Sequence, residues 1–266
     1  MLPTREPVRV LSDPVVVEKV LAGNRGMHAY ELADLSEPAW SRTEFYADED
    51  LRTVALLYDR VTLMCYVDSP VSDSASRFLR ALAPTLPDTF VGHFTIGLDT
   101  ALDGMFATSP PRRQLRMSLE EPEALAAVGT AGVVRLDGAD LREVEQLYRV
   151  GYPDNWFDPR TLGGGHYFGV RDGGRLTAVA GIQALSVDHQ IAVIGNVCTH
   201  PEYRRRGHAA QVCAELCTSL LTHVSTVCLD VDAGNRAAVS LYRRLGFRII
   251  GEYAKATYLR REPAAG

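Results

Sequence analysis

The chain has 266 residues, 46% hydrophobic and 23% charged, with 28 Lys and Arg against 33 Asp and Glu and a net charge of -5. That length suits two domains of ordinary size, each able to bury a core. The acidic balance excludes a general binder of nucleic acid or of an anionic membrane, because such partners need a basic surface. No apolar run reaches membrane-spanning length, and the opening MLPTREPVRV lacks the apolar centre of a signal peptide, so a cytoplasmic protein is expected. Cys65, Cys198, Cys213, Cys217 and Cys228 are unevenly spread and four sit in core-like segments, as suits reduced thiols.

In chain order, Asp13 and Pro14 start a helix over residues 14–22, the aspartate as cap and the proline at the first helical position. Strands are expected at 30–35, 53–58, 62–67 and 90–96, and a helix at 74–83 where apolar residues recur at helical spacing. Thr108-Ser-Pro-Pro-Arg-Arg113 is a turn cluster, followed by a strand at 114–119 and an acidic, alanine-rich piece at 120–128. The domain boundary is placed in that piece, giving domains of residues 1–125 and 126–266.

The second half reads more sharply. A short strand at 133–136 leads to a helix capped by Asp137 or Asp140 and running to about Val150, with Leu141, Val144, Leu147 and Tyr148 on one face. A loop with the aromatics Tyr152, Trp156 and Phe157 ends at Asp158-Pro159, which opens another short helix. Strands at 166–171 and 176–185, joined by the hairpin turn Asp172-Gly173-Gly174, precede a central strand at 190–197, and the three form an antiparallel platform. Arg204, Arg205, Arg206, Gly207, His208 and Ala209 then bring cations and small residues to the first turn of a helix reaching about residue 223. The free backbone N–H groups and positive dipole end there make an anion site. Small residues at 207 and 209 let a pyrophosphate approach the backbone. An ordinary solvated arginine run capping a helix is the plainer alternative. Cys213 and Cys217, one helical turn apart, are read as core residues, since no His or second Cys pair has matching spacing; no metal is expected. After a strand at 227–231, Asn235 can cap a helix that Gly246 ends.

Two blocks carry a resemblance. Val197-Cys198-Thr199 through Arg204-x-x-Gly207-x-Ala209 resembles the acyl-CoA-binding motif of the GNAT superfamily of N-acyltransferases, and Asn235-Arg-Ala-Ala238-Val-Ser-Leu-Tyr242-Arg-Arg-Leu-Gly246-Phe247 resembles its later motif. The resemblance covers residues 133–258. Neither block occurs before residue 130, so the chain resembles tandem GNAT proteins whose first half has decayed into a scaffold. The expected fold is α/β in α+β layers: two GNAT-like domains, each a mixed, mostly antiparallel sheet flanked by helices.

What the resemblance implies is acetyl transfer from acetyl-CoA to a primary amine by direct attack. Residues 204–209 would hold the pyrophosphate, Val197, Cys198 and Thr199 the pantetheine, and Asn235 and Ala238 would be further cofactor contacts. Tyr242 would act as general acid toward the departing thiolate. Tyr152, Trp156, Phe157 and Asn196 would line the acceptor side, although the aromatics could equally pack as a lid on the core. A bulge in the central strand is placed at Gly195-Asn196. The base is unassigned among Asn196, His166, His189 and Glu252. The acceptor is a small-molecule or protein amine, a homodimer is allowed, and a non-catalytic acyl-CoA sensor or a partner-recruiting module would use the same motifs.

Overall fold

The computed structural model describes residues 8–67 and 71–262. The first elements are strand β1 (Arg9–Leu11), helices α1 (Pro14–Leu21) and α2 (Ala29–Ala33), and strands β2 (Thr43–Ala47), β3 (Val54–Tyr58) and β4 (Thr62–Cys65). Helix α3 (Asp73–Leu82) and strands β5 (Thr89–Thr95), β6 (Phe106–Thr108) and β7 (Arg112–Leu119) follow. Asp13 caps α1 by accepting from the Val15 N–H, with Pro14 in the first turn.

The chain continues with β8 (Val133–Arg135), α4 (Leu141–Gly151), β9 (Phe168–Asp172), β10 (Arg175–Ser186) and β11 (Ile191–Thr199). Helix α5 (His208–Leu220), β12 (Thr226–Asp232), α6 (Arg236–Arg244) and β13 (Phe247–Arg260) complete it. Asp137 and Asp140 form a reciprocal capping box ahead of α4, so both expected caps act together. Asp158 caps a short 3-10 turn at Pro159–Gly164, and Gly173 and Gly174 both take positive φ in the β9–β10 hairpin.

The chain divides into two units: Met1–Arg116 with Val231–Gly234 and Ile250–Gly266, and Met117–Asp230 with Asn235–Ile249. In the first, the strand order is β1-β2-β3-β4-β5-β13, with β6 also on β13. All pairs there are antiparallel except β4 with β5, which α3 connects. Its core gathers Leu57, Leu63, Phe78, Phe90, Phe94 and Tyr258, with the Phe90 and Tyr258 rings stacked at 5.0 Å. Arg116 is fully buried there, under the rings of Tyr30, Tyr66 and Tyr253. It donates to the Tyr66 hydroxyl at 3.1 Å and to the Met27 carbonyl, which meets the requirement that a buried cation be hydrogen-bonded.

The second unit repeats the plan. Its order is β8-β9-β10-β11-β12, antiparallel except for β11 with β12, which α5 connects. Helices α4 and α5 both pack on β10 and β11. Leu176 lines a cavity together with α4 residues, and Thr177, the extra residue of a register shift in β10, touches His208 of α5. All five cysteines are buried. No helix among the described residues is long and apolar enough to cross a membrane.

One expected element has the wrong type: residues 30–35, read as a strand, lie largely in helix α2. Ala-Tyr-Glu-Leu-Ala are mostly good helix formers. His28 Nδ1 meets Glu31 at 3.1 Å across one turn, and a short apolar run does not separate the two periods.

Gly246 sits at φ +93 after α6, and a Cβ added there would overlap the Glu121 carbonyl, while the Gly246 carbonyl accepts from Glu120 and Glu121 N–H groups at 3.1 Å each. A Gly246→Ala chain is expected to lose about 2 kcal/mol or more of stability, read as a melting temperature lower by roughly 4–8 °C.

Candidate functional site

The site grows from β11. Its parallel pairing with β12 runs from Ile191↔Thr226 to Ile194↔Leu229 and stops. Against β10 the register slips between Cys198 and Gly195, where three steps on β11 face two on β10. The extra residue is a bulge, and Asn196 adopts φ +53 within it. The bulge therefore falls at Gly195-Asn196 as the sequence suggests, and β11 beyond Ile194 carries main-chain groups that β12 does not pair.

Two tyrosines hold the bulge. The Tyr148 hydroxyl, from α4, donates to the Asn196 carbonyl at 2.8 Å. Asn196 Nδ2 donates to the Tyr167 hydroxyl at 3.0 Å, and that hydroxyl donates to Ile182 O at 3.2 Å. Burial raises the pKa of both phenols, that of Tyr148 well above 10, so they remain donors. Neither was singled out in sequence, because each reads as an amphipathic core aromatic. Two acceptors in this strand stay buried without a partner: Asn196 Oδ1 and Thr199 Oγ1. Together with the unpaired backbone they fit a strand-like ligand carrying amide N–H groups, as pantetheine does.

Past Thr199 the chain makes a single 3-10 turn, Pro201–Tyr203, and then the arginine run. Gly207 is the residue before α5, at φ +86 with nothing within 4 Å of an added Cβ. Its backbone conformation, rather than local crowding in the chain itself, is what asks for glycine. The first intrahelical bond runs from Gln211 N to Gly207 O at 3.1 Å, leaving the N–H groups of His208, Ala209 and Ala210 directed outward for an anion.

The three arginines differ. Arg204 braces the turn, donating to Thr199 O at 3.4 Å and Gly151 O at 3.2 Å. Arg206 lies 4.8 Å over the Tyr203 ring. Arg205 is exposed in the left-handed region at φ +64. His208 stacks on Tyr203 at 6.1 Å and meets Thr177 Oγ1 at 3.0 Å.

Cys198 points inward, its thiol 3.8 Å from Leu147 O and pushed up to about 11 by burial against the opposing pull of Arg204. Asn235 caps α6, accepting from Ala238 N at 3.2 Å. Tyr242, 7% exposed, packs edge-on to Phe247 at 5.9 Å. Burial lifts its phenol well above 10, with smaller contributions from Cys213, Cys217 and Tyr152. Phe157 packs between Tyr148 at 5.1 Å and Tyr167 at 5.7 Å, whereas Tyr152 and Trp156 are exposed at 43% and 58%.

Of the residues considered for the base, His166 faces His223 at 6.2 Å, just past the C-terminal end of α5 and away from the turn. Its pKa is lowered by burial first, then by His223 and Arg135. His189 sits in the β10–β11 turn, its N–H on Ser186 Oγ at 3.2 Å. Glu252 belongs to the first unit, paired with Arg113. Sequence reasoning passed over Asp230. It is the first residue beyond the last β11–β12 pair and partly exposed. A lone charge inside the apolar strand Val-Cys-Leu-Asp-Val was the available signal, since ligands gather at the carboxyl ends of such strands.

The family model described as FR47-like protein matches residues 167–256. The N-alpha-acetyltransferase RimI of Mycobacterium tuberculosis is 34% identical over 90 residues, which cover 32% of this chain and 54% of that protein, so the match spans about half of the relative. A Drosophila protein structure matches with TM-score 0.69 at 17% identity over 96% of this chain and 98% of that one. A tandem GNAT protein from the clavulanic acid biosynthesis pathway matches with TM-score 0.57 at 13% identity, covering 97% of this chain and all 100% of its own. The family match and the relative bear on the second unit, which carries the two GNAT-like motifs, and the solved structures show the fold of the chain as a whole. The particular fold is the tandem one.

Tyr148→Phe leaves the Asn196 carbonyl without its donor. Urea unfolding should register a loss of about 1–2 kcal/mol, the cost of a buried acceptor left unmet.

Proposed function

We propose that the second unit transfers an acetyl group from acetyl-CoA to a primary amine. The observation that carries this reading is the succession of three features along β11 and the turn that follows it. They are the end of pairing at Ile194, a bulge with the unmet acceptors of Asn196 and Thr199, and the left-handed glycine that opens α5. Each suits one part of an acyl-CoA.

Acetyl-CoA supplies the acetyl group as a thioester. The N–H groups at 205–209, with Arg205, would hold the pyrophosphate. The backbone of Val197 and Thr199 would pair the pantetheine amides while Cys198 stays turned into the core; Asn235 and Ala238 would stand at the cofactor from α6. Asp230, the first residue of β12 beyond its pairing with β11, would take the proton from the attacking amine, directly or through a water. Tyr242, kept protonated by its burial, would give its proton to the departing thiolate. Buried thiols such as Cys198, Cys213 and Cys217 have pKa values raised by desolvation, which disfavours a covalent acyl-enzyme. Asn196 Oδ1, Tyr152, Trp156 and Phe157 form the acceptor side in this reading. The acceptor is a small or protein-borne amine, the latter in keeping with a relative named an N-alpha-acetyltransferase, and the setting is the cytoplasm.

The first unit is read as a decayed copy. Where β4 and β5 part after Cys65 and Phe94, the Thr95 hydroxyl receives the Val67 N–H at 2.9 Å and donates to the Val67 carbonyl at 3.1 Å. Main-chain groups that a pantetheine would need are thereby already paired. Helix α3 begins with a Ser72 side-chain cap and Asp73, an acidic start that repels phosphate.

Calorimetry with acetyl-CoA should give one site per chain; two sites would overturn the decayed first unit. Gly207→Val should weaken that binding by about tenfold or more with the fold intact, through 1–2 kcal/mol of left-handed strain and steric exclusion.

In an amine-acceptor screen, Tyr242→Phe is expected to lower kcat by about 10²–10⁴ while leaving acetyl-CoA affinity within about twofold. Asp230→Asn should remove the acid limb of the pH profile of kcat/KM. Wild-type binding without turnover across amines and cell-extract proteins would instead favour an acyl-CoA sensor.

A further inference from the structure

A cavity of about 240 Å³ opens in the second unit between α4 and the β9–β10 hairpin. By liquid volume it would hold about eight waters, so it suits a molecule of roughly that many heavy atoms. Leu147, Val150 and Leu176 make its apolar wall, and Glu143, Gln146, Arg175 and His200 its polar side.

At the His200 corner donors outnumber acceptors. His200 is 6% exposed. Arg175 Nη2 lies 2.7 Å from its Nε2, and the Glu202 N–H lies 3.3 Å from its Nδ1. Both neighbours are donors, while a neutral imidazole offers one lone pair and an imidazolium none. Whichever form His200 takes, a donor in this corner is left over.

The local carboxylates do not supply the missing acceptor. Glu143 is bound to Arg171, which also holds Asp140. Glu202 is 72% exposed and stands off at 3.6 Å from Arg175 and 3.7 Å from His200, beyond hydrogen-bond length. A small anion entering the cavity would accept from Arg175 Nη and from the His200 ring while its body covered Leu147, Val150 and Leu176.

We propose that this cavity binds a small organic carboxylate with a short apolar body. The site is separate from the acetyl-transfer reading and does not depend on it. It is adjacent to the arginine turn, because His200 also caps the 3-10 turn at Pro201–Tyr203 and its ring meets Tyr203 at 5.8 Å. Occupancy would therefore steady the segment that leads into α5.

The test titrates the full chain with isovalerate and with N-acetylglycine, using isovaleramide as the uncharged isostere. Saturable binding of at least one carboxylate at one site per chain is expected, with the amide weaker by about tenfold or more, as loss of a charge-assisted contact implies. Arg175→Met, at a side chain 52% exposed, should weaken that carboxylate by a similar factor at unchanged melting temperature. Val150→Arg, from a residue 51% exposed, should block the cavity by a second route. Absence of saturable binding by both carboxylates, or undiminished binding in both variants, would overturn the proposal. Loss in Arg175→Met of a preference for CoA over 3′-dephospho-CoA would overturn it too, assigning the guanidinium to a cofactor phosphate.

Discussion

The bulge at Asn196 is the constraint on which the second unit turns. Asparagine adopts positive φ more readily than most side chains, and here its surroundings fix it in place. Here the Tyr148 hydroxyl holds its carbonyl and Tyr167 accepts from its amide. With the extra residue in place, β11 leaves β12 after Ile194, and its main chain beyond that point is no longer closed onto β12. Had the strand run straight, those groups would have closed onto β12 and the turn into α5 would begin elsewhere.

The first unit displays what the same plan becomes without that opening. Its parallel pair and connecting helix repeat the topology of β11, α5 and β12, yet the gap after β4 is bridged by the Thr95 hydroxyl on Val67. The Arg116 guanidinium lies among three tyrosine rings. A buried cation with aromatic and hydroxyl partners is at home in a core and has no need of a ligand. The same strand and helix order thus recurs in both units, closed by Thr95 in the first and open beyond Ile194 in the second.

Charge is distributed in keeping with this division. The chain as a whole is acidic, so attraction for a phosphate has to be built locally. The members of the arginine run are unequal: Arg204 ties the turn to Thr199 and the end of α4, Arg206 rests on Tyr203, and Arg205 stands in solvent. Their equivalence in sequence dissolves once the turn has a shape.

Much of this was written in local pattern. Asp13-Pro14, the Asp137 and Asp140 caps, the Gly173-Gly174 hairpin, the helix after Gly207 and the left-handed Gly246 depend on neighbours within a few residues, which is the range that propensity and capping describe. The GNAT motifs were legible for the same reason. Other features depend on contacts between distant segments. Residues 30–35 became largely helical because a short apolar run carries no decisive period. Tyr148 and Tyr167 were ordinary aromatics until α4 and the segment leading into β9 brought their hydroxyls to one bulge. That Asp230 stands where β12 leaves β11, and that Glu252 pairs with Arg113, follow from register and packing between distant segments. Sequence by itself determined the elements and the anion turn, because those are short-range. Tertiary structure alone decided which polar atoms face an open fork, because register and packing are set by residues far apart in the chain.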